Sequence, residues 1–121
     1  MYEIYVRESF SAAHSLKGYP GKCERKHGHN WIVEIYIQCP DLNSIGIGID
    51  FREIKEALKE IIKNLDHRDL NKISPFNKEN PSSENIARYI YNKIKSKITL
   101  KISKIRVSES ISSGVIYYPN E

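Results

Sequence analysis

Three of the chain's four histidines, His14, His27 and His29, fall between Phe10 and Val33, in FSAAHSLKGYPGKCERKHGHNWIV, together with Cys23, one of two cysteines. Neutral imidazole is a common zinc ligand, and a catalytic zinc site takes three protein ligands and leaves a fourth position open. His27 and His29 are two residues apart, a spacing that puts both rings on one face of a β-strand. His14 then approaches from a neighbouring strand. The types and spacing point to a tris-histidine zinc site with a thiol close by. Each part has a plainer reading: H-G-H as a polar turn, His14 as a hydrogen-bonded core histidine. Three histidines in phase with apolar strand positions, beside a cysteine, favour the metal.

Cys23 is flanked by Lys22, Arg25 and Lys26. Positive charge lowers a thiol's pKa, and a thiolate near a bound substrate can act as general base. The alternative is an inert loop cysteine. Asp66-His67 sets a carboxylate next to an imidazole, where it can fix the tautomer and stabilise the cation. A histidine just past a helix end is also favourable without any function. Glu109, in VSES and in phase with Ile105 and Val107, is either an inward carboxylate able to bind a guanidine-like ring edge or a surface residue before a turn. Glu24 alone reads as a solvated loop residue, and Cys39, beside Pro40, as an inert strand-end thiol.

These residues need elements to hold them. Tyr2, Ile4, Val6, Phe10, Ala12 and His14 share one parity, with Glu8 as the exception, so residues 2–14 form a strand. Residues 15–26, with Gly18, Pro20 and Gly21, read as a loop. His27, His29, Trp31, Val33, Ile35 and Ile37 form one face of a second strand, antiparallel to the first, which Pro40 ends. Asp50 caps a helix running to about Asn64, and Glu53 three residues on resembles a capping box. A loop from Leu65 to Pro81 follows. A serine in PSSEN caps a second helix striped by Ile86, Ala87, Ile90 and Ile94. A strand over about 98–108 slips parity between Ile102 and Ile105, which suggests a bulge, and a last strand lies near 115–118. The order ββααββ predicts an α+β fold: a four-stranded antiparallel sheet with two helices on one face. Its open edges and uncovered face suggest that the sheet continues in neighbouring subunits.

The 121 residues make one domain, 1–121. The N-terminus lacks a signal-peptide pattern and no apolar run approaches a membrane span, so a cytoplasmic protein with reduced thiols and no Cys23–Cys39 disulfide is expected. Net charge is +4 and the pI about 9.0. Such a balance is compatible with nucleic acid, but the lysines are scattered among Ile and Glu as solvated faces, and no nucleic-acid motif is present. A small polyanionic substrate suits the charge equally well. Three hypotheses follow from the residues: an enzyme, a metal-stabilised binding module, and, on charge alone, a nucleic-acid binder.

Taken as a set, FSAAH (10–14), Cys23 with HGH (27–29), DF (50–51), LDHRDLN (65–71), NPSSENIA (80–87) and Glu109 make the chain resemble the 6-pyruvoyltetrahydropterin synthase / 6-carboxytetrahydropterin synthase family over nearly its whole length. The resemblance implies a tunnelling fold whose sheets join into a barrel in trimers, two trimers stacking as a homohexamer. It implies Zn2+ on His14, His27 and His29, Cys23 as proton-abstracting thiolate, Asp66 and His67 as the partner acid/base pair, and Glu109 as anchor of the pterin ring, in active sites lying between subunits. The C-x3-H-G-H spacing looks like the 6-carboxytetrahydropterin synthases of 7-deazaguanine (queuosine, archaeosine) biosynthesis. These convert 7,8-dihydroneopterin triphosphate and water to 6-carboxytetrahydropterin, acetaldehyde and triphosphate. Glu24 gives E-x-x-H-G-H as well, which resembles relatives cleaving the same side chain to 6-hydroxymethyl-dihydropterin for folate. Ser82 stands where the family usually has threonine and keeps the hydroxyl at that substrate-side position. Lys22, Arg25 and Lys26 are triphosphate candidates by position.

Overall fold

Alternation decides the two long strands. In the computed structural model, which describes residues 1–19, 21 and 25–120, β1 (Tyr2–His14) and β2 (His27–Cys39) pair antiparallel along their whole length. Val6, Phe10, Ala12 and His14 of β1 and Trp31, Val33, Ile35, Ile37 and Cys39 of β2 are buried on one face. Tyr5 and Arg7 point away from it and are exposed. The remaining elements are α1 (Phe51–Ile62), β3 (Arg68–Asp69), a single 3-10 turn over Leu70–Lys72, α2 (Ser83–Ile94), β4 (Ile102–Ser108) and β5 (Gly114–Tyr117).

The sheet runs β3-β1-β2-β4-β5 and is open at both ends among the described residues. Among the described residues it has five strands and is mixed, which corrects the four-stranded antiparallel expectation. The extra strand, β3, pairs parallel with β1 through Arg68 opposite Ala12 and Asp69 opposite Ala13. Two residues carry no readable periodicity, so the segment reads as loop in sequence. What pins it is side-chain chemistry. Asp66 Oδ1 accepts from Ser11 N at 2.9 Å, while Asn71 Oδ1 accepts from Ser15 N at 2.8 Å and its amide donates to Ser15 O at 3.0 Å. The expected bulge is present: the β2–β4 register shifts between Tyr36 and Ile37, opposite Lys104 and Ile102. β4 begins at Ile102, later than the apolar run at 98 suggests.

Both helices pack their apolar stripes onto the face carrying His14. Ile54, Leu58, Ile61 and Ile62 of α1 and Ile86, Ala87, Ile90 and Ile94 of α2 join one core with the strand residues. Full burial of each such aliphatic side chain contributes about 1.5–3 kcal/mol. Asp50 caps α1 by accepting from Arg52 N at 2.9 Å, and it also pairs with the Arg52 guanidinium. The expected capping box is not completed: Glu53 donates its backbone N–H to Asp50 O, and its side chain makes no hydrogen bond among the described residues. Ser82 caps α2 by accepting from Asn85 N at 3.1 Å. On the uncovered face Glu34 is nonetheless buried, because Arg7 and Arg106 bracket its carboxylate from the two flanking strands. No helix among the described residues is long and apolar enough to cross a membrane.

Candidate metal centre

Register brings the three histidines together. His14 lies opposite His27 at the end of the β1–β2 ladder, and His29 lies opposite Ala12, one inward position along. Directly opposite residues in an antiparallel pair have Cβ atoms about 4.5–5.5 Å apart, so three inward imidazoles at these positions must meet. The ring centroids are 4.6 Å apart for His14 and His27, 4.7 Å for His27 and His29, and 5.2 Å for His14 and His29. One nitrogen from each ring lies within 4.8 Å of the others. Trp31, fully buried, forms the floor beneath His14 and His29, with centroids 4.8 and 5.3 Å away.

Backbone carbonyls set the tautomers. His14 Nδ1 donates to Pro81 O at 2.8 Å and His27 Nδ1 to Arg25 O at 2.7 Å. Neutral rings so held carry lone pairs on both Nε2 atoms, which face each other across 3.1 Å. Two acceptors at that distance repel unless a cation lies between them. A tetrahedral ion with bonds of about 2.0–2.1 Å keeps its ligands about 3.3 Å apart. His29 Nε2 is 3.3 Å from Glu109 Oε2 but off the hydrogen-bonding direction, and it is buried without a hydrogen-bond partner among the described residues. A buried, unsatisfied ring nitrogen aimed at two others is what a metal ligand set requires. Burial, partly offset by the Pro81 carbonyl and the Glu109 carboxylate, pushes the His14 pKa down. Burial does the same at His29, again opposed by Glu109. Both effects favour the neutral, ligating ring.

The segment NPSSEN (80–85) supports the site residue by residue. Asn80 clamps the chain just after β1, accepting from Lys17 N and donating to Lys17 O, each at 2.9 Å. Pro81 orients His14. Ser82 caps α2. Ser83, the first residue of α2 and buried, donates from Oγ to Glu109 Oε1 at 3.2 Å. Asn85 ties the turn together by donating to Asn80 O at 2.8 Å. The sequence motif contains these residues, but the partners of Asn80, Pro81 and Ser83 lie 63, 67 and 26 positions away, beyond the reach of local spacing.

Glu109, just past β4, is therefore brought to the histidines. Asp66 and His67 meet each other, Oδ1 to Nδ1 at 3.1 Å, at the outer edge of β1. Hydrogen bonding from Ser11 N, the main cause, and the His67 ring hold the Asp66 carboxyl below the usual carboxylate range. His67 adopts a left-handed φ of 58°, and its N–H donates to Ser11 O. That strained backbone turns an exposed imidazole outward. His67 and His29 both line a cavity of about 480 Å³ with Ser11, Ala13, Gly28 and Asn30. Lys26 pairs with Asp69, tethering the loop before His27 to β3. Cys23, Glu24 and Lys22 lie outside the described residues. Cys39 is a buried free thiol whose pKa burial pushes up, which matches an inert role.

Known proteins are similar to this chain over most of its length. Residues 3–120 match the family described as 6-pyruvoyl tetrahydropterin synthase. The 6-carboxy-5,6,7,8-tetrahydropterin synthase of Synechocystis is 34% identical, with 98% of this chain and 94% of that protein covered. The dihydroneopterin monophosphate aldolase of Pyrococcus furiosus is 33% identical over 93% of each chain. Among solved structures, Caenorhabditis elegans 6-pyruvoyl tetrahydropterin synthase superposes with a TM-score of 0.86 at 26% identity, covering 98% of this chain and 96% of that one. With the fold, the converging histidines and nearly full-length matches in agreement, this chain belongs to the 6-pyruvoyl tetrahydropterin synthase family.

Proposed function

We propose that the protein is a zinc-dependent 6-carboxytetrahydropterin synthase, converting 7,8-dihydroneopterin triphosphate and water to 6-carboxytetrahydropterin, acetaldehyde and triphosphate in 7-deazaguanine biosynthesis. The observation that carries this reading is the convergence of His14, His27 and His29 beside the Glu109 carboxylate. His14, His27 and His29 hold the ion through nitrogen, and zinc suits three imidazoles with an open fourth position. When bound, zinc supplies Lewis-acid polarisation of the substrate's side-chain oxygens. Glu109 accepts the paired N–H donors of the pterin ring edge. Cys23, as thiolate, takes a proton from the substrate side chain, and Asp66 orients His67 to return one. Ser82 holds the start of α2 against this pocket. Lys22, Arg25 and Lys26 are the triphosphate ligands by position, with Lys26 also paired to Asp69. The open ends of the sheet at β3 and β5 support assembly with further copies, in trimers stacked as a hexamer, so that Cys23 and His67 of different chains complete one site.

A second reading is favoured by two observations: the aldolase relative, and Glu24, which gives E-x-x-H-G-H beside Cys23. On that reading the chain cleaves the same side chain to 6-hydroxymethyl-dihydropterin. Product identification decides between them. The zinc-loaded protein is incubated with dihydroneopterin triphosphate and, separately, with the monophosphate. Carboxytetrahydropterin from the triphosphate is expected. Hydroxymethylpterin alone overturns the first reading, and no product from either overturns both. Cys23→Ala is expected to retain zinc and lose turnover, whereas Glu24→Gln spares the carboxylated product and removes any hydroxymethyl one.

A further inference from the structure

We infer that Ser83 is a positioning residue for substrate recognition: its hydroxyl sets the orientation of the Glu109 carboxylate. The inference rests on the pterin reading of Glu109 given above. Glu109 stands just past the end of β4, where the ladder no longer fixes the chain, and its side chain is about one-third exposed. A glutamate in that position has three side-chain torsions to settle. The contact at 3.2 Å from Ser83 Oγ to Oε1 restrains it from one side. The His29 ring, its Nε2 3.3 Å from Oε2 without a hydrogen bond between them, leaves Ser83 as the hydrogen-bond donor from protein to this carboxylate among the described residues.

Ser83 is itself held. It is the first residue of α2, locked by the Ser82 cap and the Asn80–Asn85 link, and is only 7% exposed. Its hydroxyl therefore presents one donor from a fixed point at the positive end of the α2 dipole, a favourable place for a carboxylate. Each carboxylate oxygen has two lone pairs, so Oε1 can accept from Ser83 and still accept from a ligand. Recognition of a pterin edge needs two parallel acceptors in one plane, and a rotated carboxylate offers one. Ser83 thus contributes to affinity without touching the ring.

The test is a double-mutant cycle on zinc-loaded protein, with neopterin binding followed by quenching of its fluorescence, alongside KM and kcat for dihydroneopterin triphosphate. A hydrogen bond to a charged group corresponds to a factor of about ten to a hundred. Ser83→Ala is expected to weaken neopterin binding and raise KM by about tenfold, with kcat within about threefold, and Ser83→Thr, which keeps the donor, to restore most of the loss. In a Glu109→Gln background the Ser83→Ala effect is expected to shrink below about twofold, because the two act as one unit. Wild-type affinity in Ser83→Ala, or equal effects in both backgrounds, overturns the inference. If Glu109→Gln itself binds neopterin like wild type, the pterin-anchor reading has failed instead.

Discussion

Asn80→Ala separates orientation of the metal ligands from general stability. Asn80 makes two side-chain hydrogen bonds to Lys17, both 2.9 Å, and its own carbonyl receives Asn85 at 2.8 Å. Removing the side chain deletes the first pair. At about 0.5–1 kcal/mol net for each part-exposed bond, folding stability falls by about 1–2 kcal/mol. For a chain of 121 residues, at about 2.1 cal/mol/K per residue, that lowers Tm by about 4–8 °C. The more telling effect is at the next residue. Pro81 O holds His14 Nδ1 at 2.8 Å, and freeing the Asn80 anchor lets that carbonyl drift. Loss of an outer-shell partner of a metal-bound histidine typically costs about 10- to 100-fold in affinity. The assay is zinc affinity by competition with a chromogenic chelator, paired with thermal unfolding. Ser103→Ala is the control. Its hydroxyl meets Glu3 and the Tyr36 carbonyl far from the histidines, so it is expected to lose stability and keep wild-type zinc affinity. If Asn80→Ala melts lower yet binds zinc as tightly as wild type, the Pro81 carbonyl does not orient His14 as argued.

Other consequences are accessible to simple measurements. Asp66 has its pKa depressed from 3.8, chiefly by the Ser11 N–H, so its stabilising effect is full above that value and is lost as pH falls through the lower folded value. Asp66→Asn is therefore expected to flatten the acid limb of the stability–pH curve, and an unchanged limb by denaturant titration between neutral pH and about 2 contradicts the assignment. Ser82→Ala removes the α2 cap and is expected to cost about 1 kcal/mol in chemical denaturation; a loss below a few tenths would show that the cap is dispensable. A Cβ at Gly114 would sit 2.7 Å from Val107 O and 2.5 Å from Ser108 Oγ. Gly114→Ala is thus expected to destabilise by about 1–3 kcal/mol, and a neutral melt would show that the β4–β5 ladder relaxes freely.

Much of the architecture was legible because burial imposes parity. The inward set of β1 and β2, the Asp50 and serine caps, and the bulge between Ile102 and Ile105 all follow from alternation or local capping, which act over a few residues. The histidines were legible for the same reason, since His14, His27 and His29 share the core parity. What local pattern could not carry was anything settled by distant partners. β3 is too short to alternate and exists because Asp66 grips the β1 backbone at Ser11 and Asn71 grips Ser15 just past its end. Glu34 occupies an outward position and is buried by two arginines from other strands. The Ser83–Glu109 contact links a helix start to a strand end. Asp66 and His67, adjacent in sequence and free to diverge, touch because His67 takes a left-handed backbone.

Zinc-edge X-ray absorption on the reconstituted protein tests the central claim most directly. Three histidine nitrogens at about 2.0–2.1 Å, one ion per chain, are expected, with imidazole scattering reduced in His14→Ala and in His29→Ala. A first shell of water oxygens without imidazole scattering, or a spectrum indifferent to both substitutions, would contradict it.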